Sequence, residues 1–112
     1  MNCHRNYPWY KGWQNTFQEQ GFTVLGIHTP ELPLEKDLEA VRRRAAEQGL
    51  SFPILVDNRN QNWNAWGNSM WPSTYLIDKN GYVRYWWYGE LNYQQQGAEE
   101  LLRRRIEELL NE

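Results

Sequence analysis

The sequence predicts an α/β domain. Three short, apolar, β-branched runs alternate with stretches of helical periodicity, and strands separated by helices imply parallel crossovers. A fourth such run follows the third directly, across Asp78-Lys79-Asn80-Gly81. That Asn-Gly pair predicts a tight hairpin with a primed turn, because both residues accept positive φ. The 112 residues suit a single domain, 1–112, with one modest core.

Tyr7 to Gln20 is predicted helical, since Tyr10, Trp13 and Phe17 recur at helical spacing. Pro8 fits a first turn and Gly21 a C-terminal stop. Phe22–His28 is predicted to be a buried strand, followed by a loop over Thr29–Pro33. Leu34, Leu38, Val41 and Ala45 form an apolar stripe on a helix reaching about Gln48. Its early acids (Glu35, Asp37, Glu39) and late bases (Arg42–Arg44) suit the helix dipole, and Gly49 closes it. Phe52–Asp57 is a second buried strand, and Asn62–Trp66 a short helix closed by Gly67. Ser73–Asp78 and Tyr82–Tyr88 are the two arms of the hairpin. Gly97 to Leu110 is the last helix, with Ala98, Leu101, Leu102, Ile106 and Leu109 on its apolar side.

Apolar residues make up 40% and charged residues 23%, an ordinary globular balance rather than a disordered or membrane one. A net charge of -2 gives no general attraction to nucleic acid or anionic lipid. The basic runs Arg42–Arg44 and Arg103–Arg105 sit among glutamates and read as solvated helix faces. Seven tryptophans are spread along the chain, and most are expected to fill the core of a small domain; the competing reading is a binding face for a sugar or a peptide. No run is long and apolar enough to span a membrane, and no signal-peptide pattern opens the sequence. The chain as written is therefore expected in the cytoplasm. With a further N-terminal segment ahead of Met1 the expectation becomes periplasmic or extracytoplasmic.

Asn2–Trp13, which holds Cys3 and Pro8, resembles the start of the redox-active helix of thioredoxin-like redoxins. Thr23–Glu31 is similar to the second strand and following loop of the redoxin domains in cytochrome-biogenesis-type disulfide-exchange proteins. Trp63–Glu90, the most specific stretch, is similar to the second half of those domains. The resemblance implies a three-layer thioredoxin-like fold and thiol–disulfide chemistry, and it makes Cys3 the second, resolving cysteine of a Cys-x-x-Cys motif. The first cysteine and the central strand that feeds the motif have no counterpart in the sequence. It also implies that Pro72 is the cis proline beside the redox site, where the preceding backbone pairs with an extended peptide. Trp66 and Trp71 would then supply an apolar wall, with His28 at its border.

Exchange needs an attacking thiolate, and release of the mixed disulfide usually needs a second thiol. Cys3 is the only cysteine, so it cannot cycle alone or make an internal disulfide. It is either an inert thiol or one that forms a mixed disulfide with glutathione, a partner or a second chain. The Cys, Thr and Arg constellation of peroxiredoxin-type peroxidases does not map onto it. Cys3, His4 and His28 do not form a zinc pattern, and neither a metal nor another cofactor is expected. Asp57 and Asp78 follow strands; Asp78 is explained by its turn. Without the central strand, the neighbouring strands expose edges that recruit partners. They can pair directly, exchange elements between chains or take a strand from another protein. The expectation is a symmetric homodimer, a binding or structural module rather than a dithiol enzyme. The alternative is a thiol–disulfide oxidoreductase, as part of a longer protein or as a monothiol enzyme using Cys3.

Overall fold

The computed structural model describes residues 5–31, 33–92 and 97–112. Its regular elements are α1 (Tyr7–Phe17), β1 (Gly26–His28), α2 (Leu38–Glu47), β2 (Ile54–Val56), α3 (Gln61–Ala65), β3 (Ser73–Ile77), β4 (Val83–Tyr88) and α4 (Ala98–Leu110). They fall into two compact units, Met1–Phe22 with Ser69–Glu112, and Thr23–Asn68.

In the first unit, α1 opens with Pro8 in its first turn and buries Trp13 and Phe17. A 3-10 turn, Gln18–Gln20, follows, and Gly21 ends it at φ 91°, a conformation that a side chain would disfavour. Helix α4 buries Ala98, Leu102 and Ile106, four residues apart on one stripe. These residues, with Leu76 and Leu91, form the core cluster, against which Tyr85 and Trp87 of β4 pack. Leu101, predicted on the apolar side, is 44% exposed. It stands about 100° round the helix from Leu102 and outside the stripe.

The hairpin pairs β3 and β4 antiparallel, with Tyr75 opposite Trp86 and a one-residue slip between Leu76 and Ile77. Its turn differs from the prediction. Gly81 N donates to Asp78 O at 3.0 Å, and Gly81 has φ 87° while Asn80 stays out of the left-handed region. Asp78 Oδ1 accepts from Asn80 N at 2.9 Å and Tyr82 N at 3.0 Å. Those bonds hold Lys79-Asn80 in an ordinary turn, leaving the single left-handed step to glycine.

In the second unit, β1 and β2 pair in parallel over three rungs, Gly26 with Ile54 to His28 with Val56. Both strands are shorter than the apolar runs that announced them, and neither is buried. Leu25 is 54%, Ile27 42%, Leu55 54% and Val56 40% exposed. A parallel strand is buried when both faces are covered, and α2 buries none of its residues. The stripe predicted on α2 therefore stays at the surface, with Leu38 exposed and Val41 and Ala45 half-buried. Asp37 caps α2 by accepting from Glu39 N at 3.0 Å. Phe52 and Trp63 are the buried large side chains of this unit. A Cβ on Gly26 would stand 3.1 Å from the Phe52 ring, so the ring packs on bare backbone. Among the tryptophans, Trp13 and Trp63 are buried and Trp9, Trp71 and Trp87 half-buried, while Trp66 and Trp86 face solvent. No described helix is long and apolar enough to cross a membrane.

Candidate functional site

The loop that enters β3 is built around Pro72. The Trp71–Pro72 peptide bond is cis; Pro72 is buried and Trp71 half-buried. Pro72 O accepts from Gly89 N at 2.7 Å, which ties the loop to the end of β4. Ser73 Oγ donates to Met70 O at 2.6 Å and closes the loop on itself. Gly89, at φ 96°, would place a Cβ 3.4 Å from Met70 Sδ, so its bareness leaves room for the methionine.

The Gly89–Pro72 bond also fixes the sense of the ladder. It flanks the Ser73–Tyr88 pair, so Thr74 exchanges bonds with Trp87, and the peptide groups of Ser73 and Tyr75 point away from β4. Among the described residues, β4 is the strand that pairs with β3. Tyr75 lies edge-on to Tyr88, ring centres 6.2 Å apart. Burial, then the adjoining Tyr88 hydroxyl, push the Tyr75 phenol up to about 12, so it stays protonated at neutral pH.

Cys3 and His4 lie outside the described residues. The chain is described from Arg5, whose Nη1 pairs with Glu90 Oε1 at 3.0 Å. Next to it Asn6 is buried and bonds to Leu91 N. Nothing in the sequence around Asn6 points to residue 91.

His28 and Trp66 belong to the other unit. His28 Nε2 lies 2.8 Å from Glu35 O; a carbonyl only accepts, so Nε2 carries the proton. Trp66 is 39% exposed. Asp57 anchors the start of α3. It accepts from Trp63 N at 2.9 Å, Asn62 N at 3.1 Å and Thr29 Oγ1 at 2.9 Å. Burial works to raise its pKa, but these bonds to the charged form outweigh it, and the carboxyl is held below its ordinary range. A shallow depression of about 430 Å³, lined by Pro30, Glu31, Pro33, Lys36, Asn58, Arg59 and Asn60, contains none of the predicted site residues. Among the described residues no group of three or more His, Cys, Asp or Glu could hold a metal ion.

A profile of the AhpC/TSA family matches residues 1–86. The chain belongs to the AhpC/TSA family. Protein DipZ of Mycobacterium bovis is 41% identical over 93 residues, which are 83% of this chain and 13% of DipZ. Thiol-disulfide oxidoreductase ResA of Geobacillus thermodenitrificans is 37% identical over 82 residues, 73% of this chain and 44% of ResA. The chain thus spans less than half the length of either relative. Two solved structures share the fold. A protein described as thiol:disulfide interchange protein DsbE from Chlorobium tepidum superposes with a TM-score of 0.83 at 22% identity, over 97% of this chain and 71% of that one. A thioredoxin-like protein solved in its oxidized form gives 0.81 at 26% identity, over 97% and 69%. The fold is therefore thioredoxin-like α/β, with an antiparallel hairpin and then a helix at its C-terminal end. The redoxin resemblance read from Trp63–Glu90 and from the Cys3 segment is borne out, in a chain with one cysteine.

Proposed function

We propose that this AhpC/TSA member is a single-thiol binding module. An extended peptide lies along the outer edge of β3 beside Pro72, with Trp71 as an apolar wall, and Cys3 holds it as a mixed disulfide. The observation that supports the reading is the register of β3 on β4, which turns the peptide groups of Ser73, the residue after Pro72, away from β4. Strand addition to such an edge is a general mode of peptide capture. The chemistry is one exchange: the Cys3 thiolate attacks a disulfide sulfur, one S–S bond forms, one breaks, and a thiolate leaves. With no second cysteine in the chain, release requires a thiol from outside, such as glutathione. An insulin-reduction assay supplied with dithiothreitol, with Cys3→Ser as control, tests this. Capture of a peptide disulfide without cysteine-dependent turnover supports the reading. Cysteine-dependent turnover overturns it.

A second reading is favoured by the relatives. ResA is named a thiol-disulfide oxidoreductase, and this chain spans 44% of it. On that reading the same segment works within a longer protein that supplies the other thiol, and the fold lacks its motif-feeding central strand only when taken alone.

The reading includes a symmetric homodimer. Its support is the exposed apolar face of Ile27 and Leu55 on the β1–β2 ladder, continued by Leu25, which a second copy would cover. Size exclusion with light scattering tests it, and a clean monomer at micromolar concentration sinks it.

A further inference from the structure

The sulfur of Met70 lies against bare backbone. A Cβ added to Gly89 would stand 3.4 Å from Met70 Sδ, the one atom it would meet within 4 Å. The Met70 side chain is otherwise open, at 50% exposed. The other methionine of the chain is Met1.

Two short hydrogen bonds hold the backbone around this contact. Met70 O accepts from Ser73 Oγ at 2.6 Å, and Gly89 N donates to Pro72 O at 2.7 Å. Gly89, at φ 96°, follows Tyr88, the last residue of β4. The sulfur thus touches one of the two residues that tie this loop to the end of β4.

A half-exposed thioether is open to two-electron oxidation, and its sulfoxide replaces an apolar group with a polar, chiral one. In a packed core that change disrupts the fold. At Met70 the new oxygen can be solvated. On the Gly89 side the sulfur is already at contact distance, so the oxygen enters from the solvent side or lifts the sulfur off the glycine.

We propose that Met70 is a site of reversible oxidation by a small peroxide, and that its sulfoxide loosens the bond between Pro72 and Gly89. A sulfur lone pair attacks one peroxide oxygen. The O–O bond breaks, an S–O bond forms, and hydroxide leaves and takes up a proton as water. The sulfur loses two electrons and the peroxide gains them. A methionine sulfoxide reductase reverses the step. Two electrons and two protons come from a dithiol, which becomes a disulfide, and the oxygen departs as water. Neither direction calls on Cys3, so the inference stands apart from the function proposed above.

The test treats the full chain carrying Cys3→Ser, in which no thiol competes for the oxidant, with hydrogen peroxide. Peptide mapping by mass should place one added oxygen on Met70. One sulfoxide epimer should be in excess, because Gly89 covers one side of the sulfur, and the two epimer-specific reductases measure it. Amide hydrogen exchange at Gly89 should quicken by up to about 10-fold, the net worth of one hydrogen bond. Exchange at Leu102, in the core cluster, should stay as it was. Reduction should restore the Gly89 rate, and Met70→Leu should not respond to peroxide. A Met70 left intact by peroxide that consumes free methionine overturns the inference. So do equal amounts of the two epimers, or a Gly89 amide unmoved in the oxidised chain. Gly89 and Leu102 quickening together would mean that the whole fold loosens, and also overturns it.

Discussion

The Asp57 carboxylate accepts the Trp63 backbone N–H at 2.9 Å, and so pins the first turn of α3 to the end of β2. Asn60 holds the N-cap position of α3 at φ 58° and makes no side-chain bond there. Asp57 does that work from outside the helix, and its second oxygen reaches Asn62 N.

Asp57→Ala should therefore destabilise the fold by about 1–2 kcal/mol, the usual cost of losing a helix cap. A urea midpoint moved down at unchanged slope checks it; an unmoved midpoint refutes the role.

The pH dependence has a definite sign. Because the folded pKa of Asp57 is depressed, its contribution is present above the unfolded value of about 4 and is lost as pH falls through the lower folded value. Thermal melts of the wild type should therefore fall on acidification below about pH 4. Asp57→Asn should show a shallower acid limb. Asp78, held low first by the Tyr82 N–H, and Glu112, held low first by Arg84, keep the remainder of the slope.

Two apolar positions on α4, Leu101 and Ile106, should behave very differently. Ile106 is 2% exposed and belongs to the core cluster, whereas Leu101 is 44% exposed. Ile106→Ala should cost about 2–5 kcal/mol, and Leu101→Ala less than about 0.5 kcal/mol. Paired denaturant titrations decide it, and comparable losses would contradict the burial pattern.

Gly81 has φ 87°. Gly81→Ala should cost about 1–2 kcal/mol through the left-handed conformation alone, since no atom stands within 4 Å of the added methyl. A melting temperature equal to wild type would show that the turn can rearrange.

If two copies cover the β1–β2 ladder, charges placed there should separate them. Ile27→Lys and Leu55→Lys, at positions 42% and 54% exposed, should leave the far-ultraviolet spectrum unchanged and give a monomer by light scattering. Dimers that persist in both variants would move the interface elsewhere.

Much of the fold is legible in the sequence because it is encoded locally. Tyr10, Trp13 and Phe17 set the period of α1 and Gly21 marks its end; the apolar runs either side of Asp78–Gly81 give the hairpin. What escapes depends on partners. Phe22–His28 reads as one strand, but only Gly26–His28 finds three rungs on β2. The stripe on α2 has the right spacing for burial and nothing buries it. Asn80 is free to take positive φ, but the Asp78 carboxylate decides otherwise. At the candidate site, Pro72 is visible through the redoxin resemblance, whereas Asn6 is not. Its partner Leu91 lies 85 positions away, and no periodicity records that bond.

Every member of the core cluster comes from before residue 23 or after residue 68: Trp13 and Phe17 from the early part, Leu76, Leu91, Ala98, Leu102 and Ile106 from the late part. During synthesis the first two emerge long before their partners. At about 5–20 residues per second, they wait on the order of 5–20 s for Ile106. For that interval the nascent chain carries a tryptophan and a phenylalanine whose core partners are still unmade.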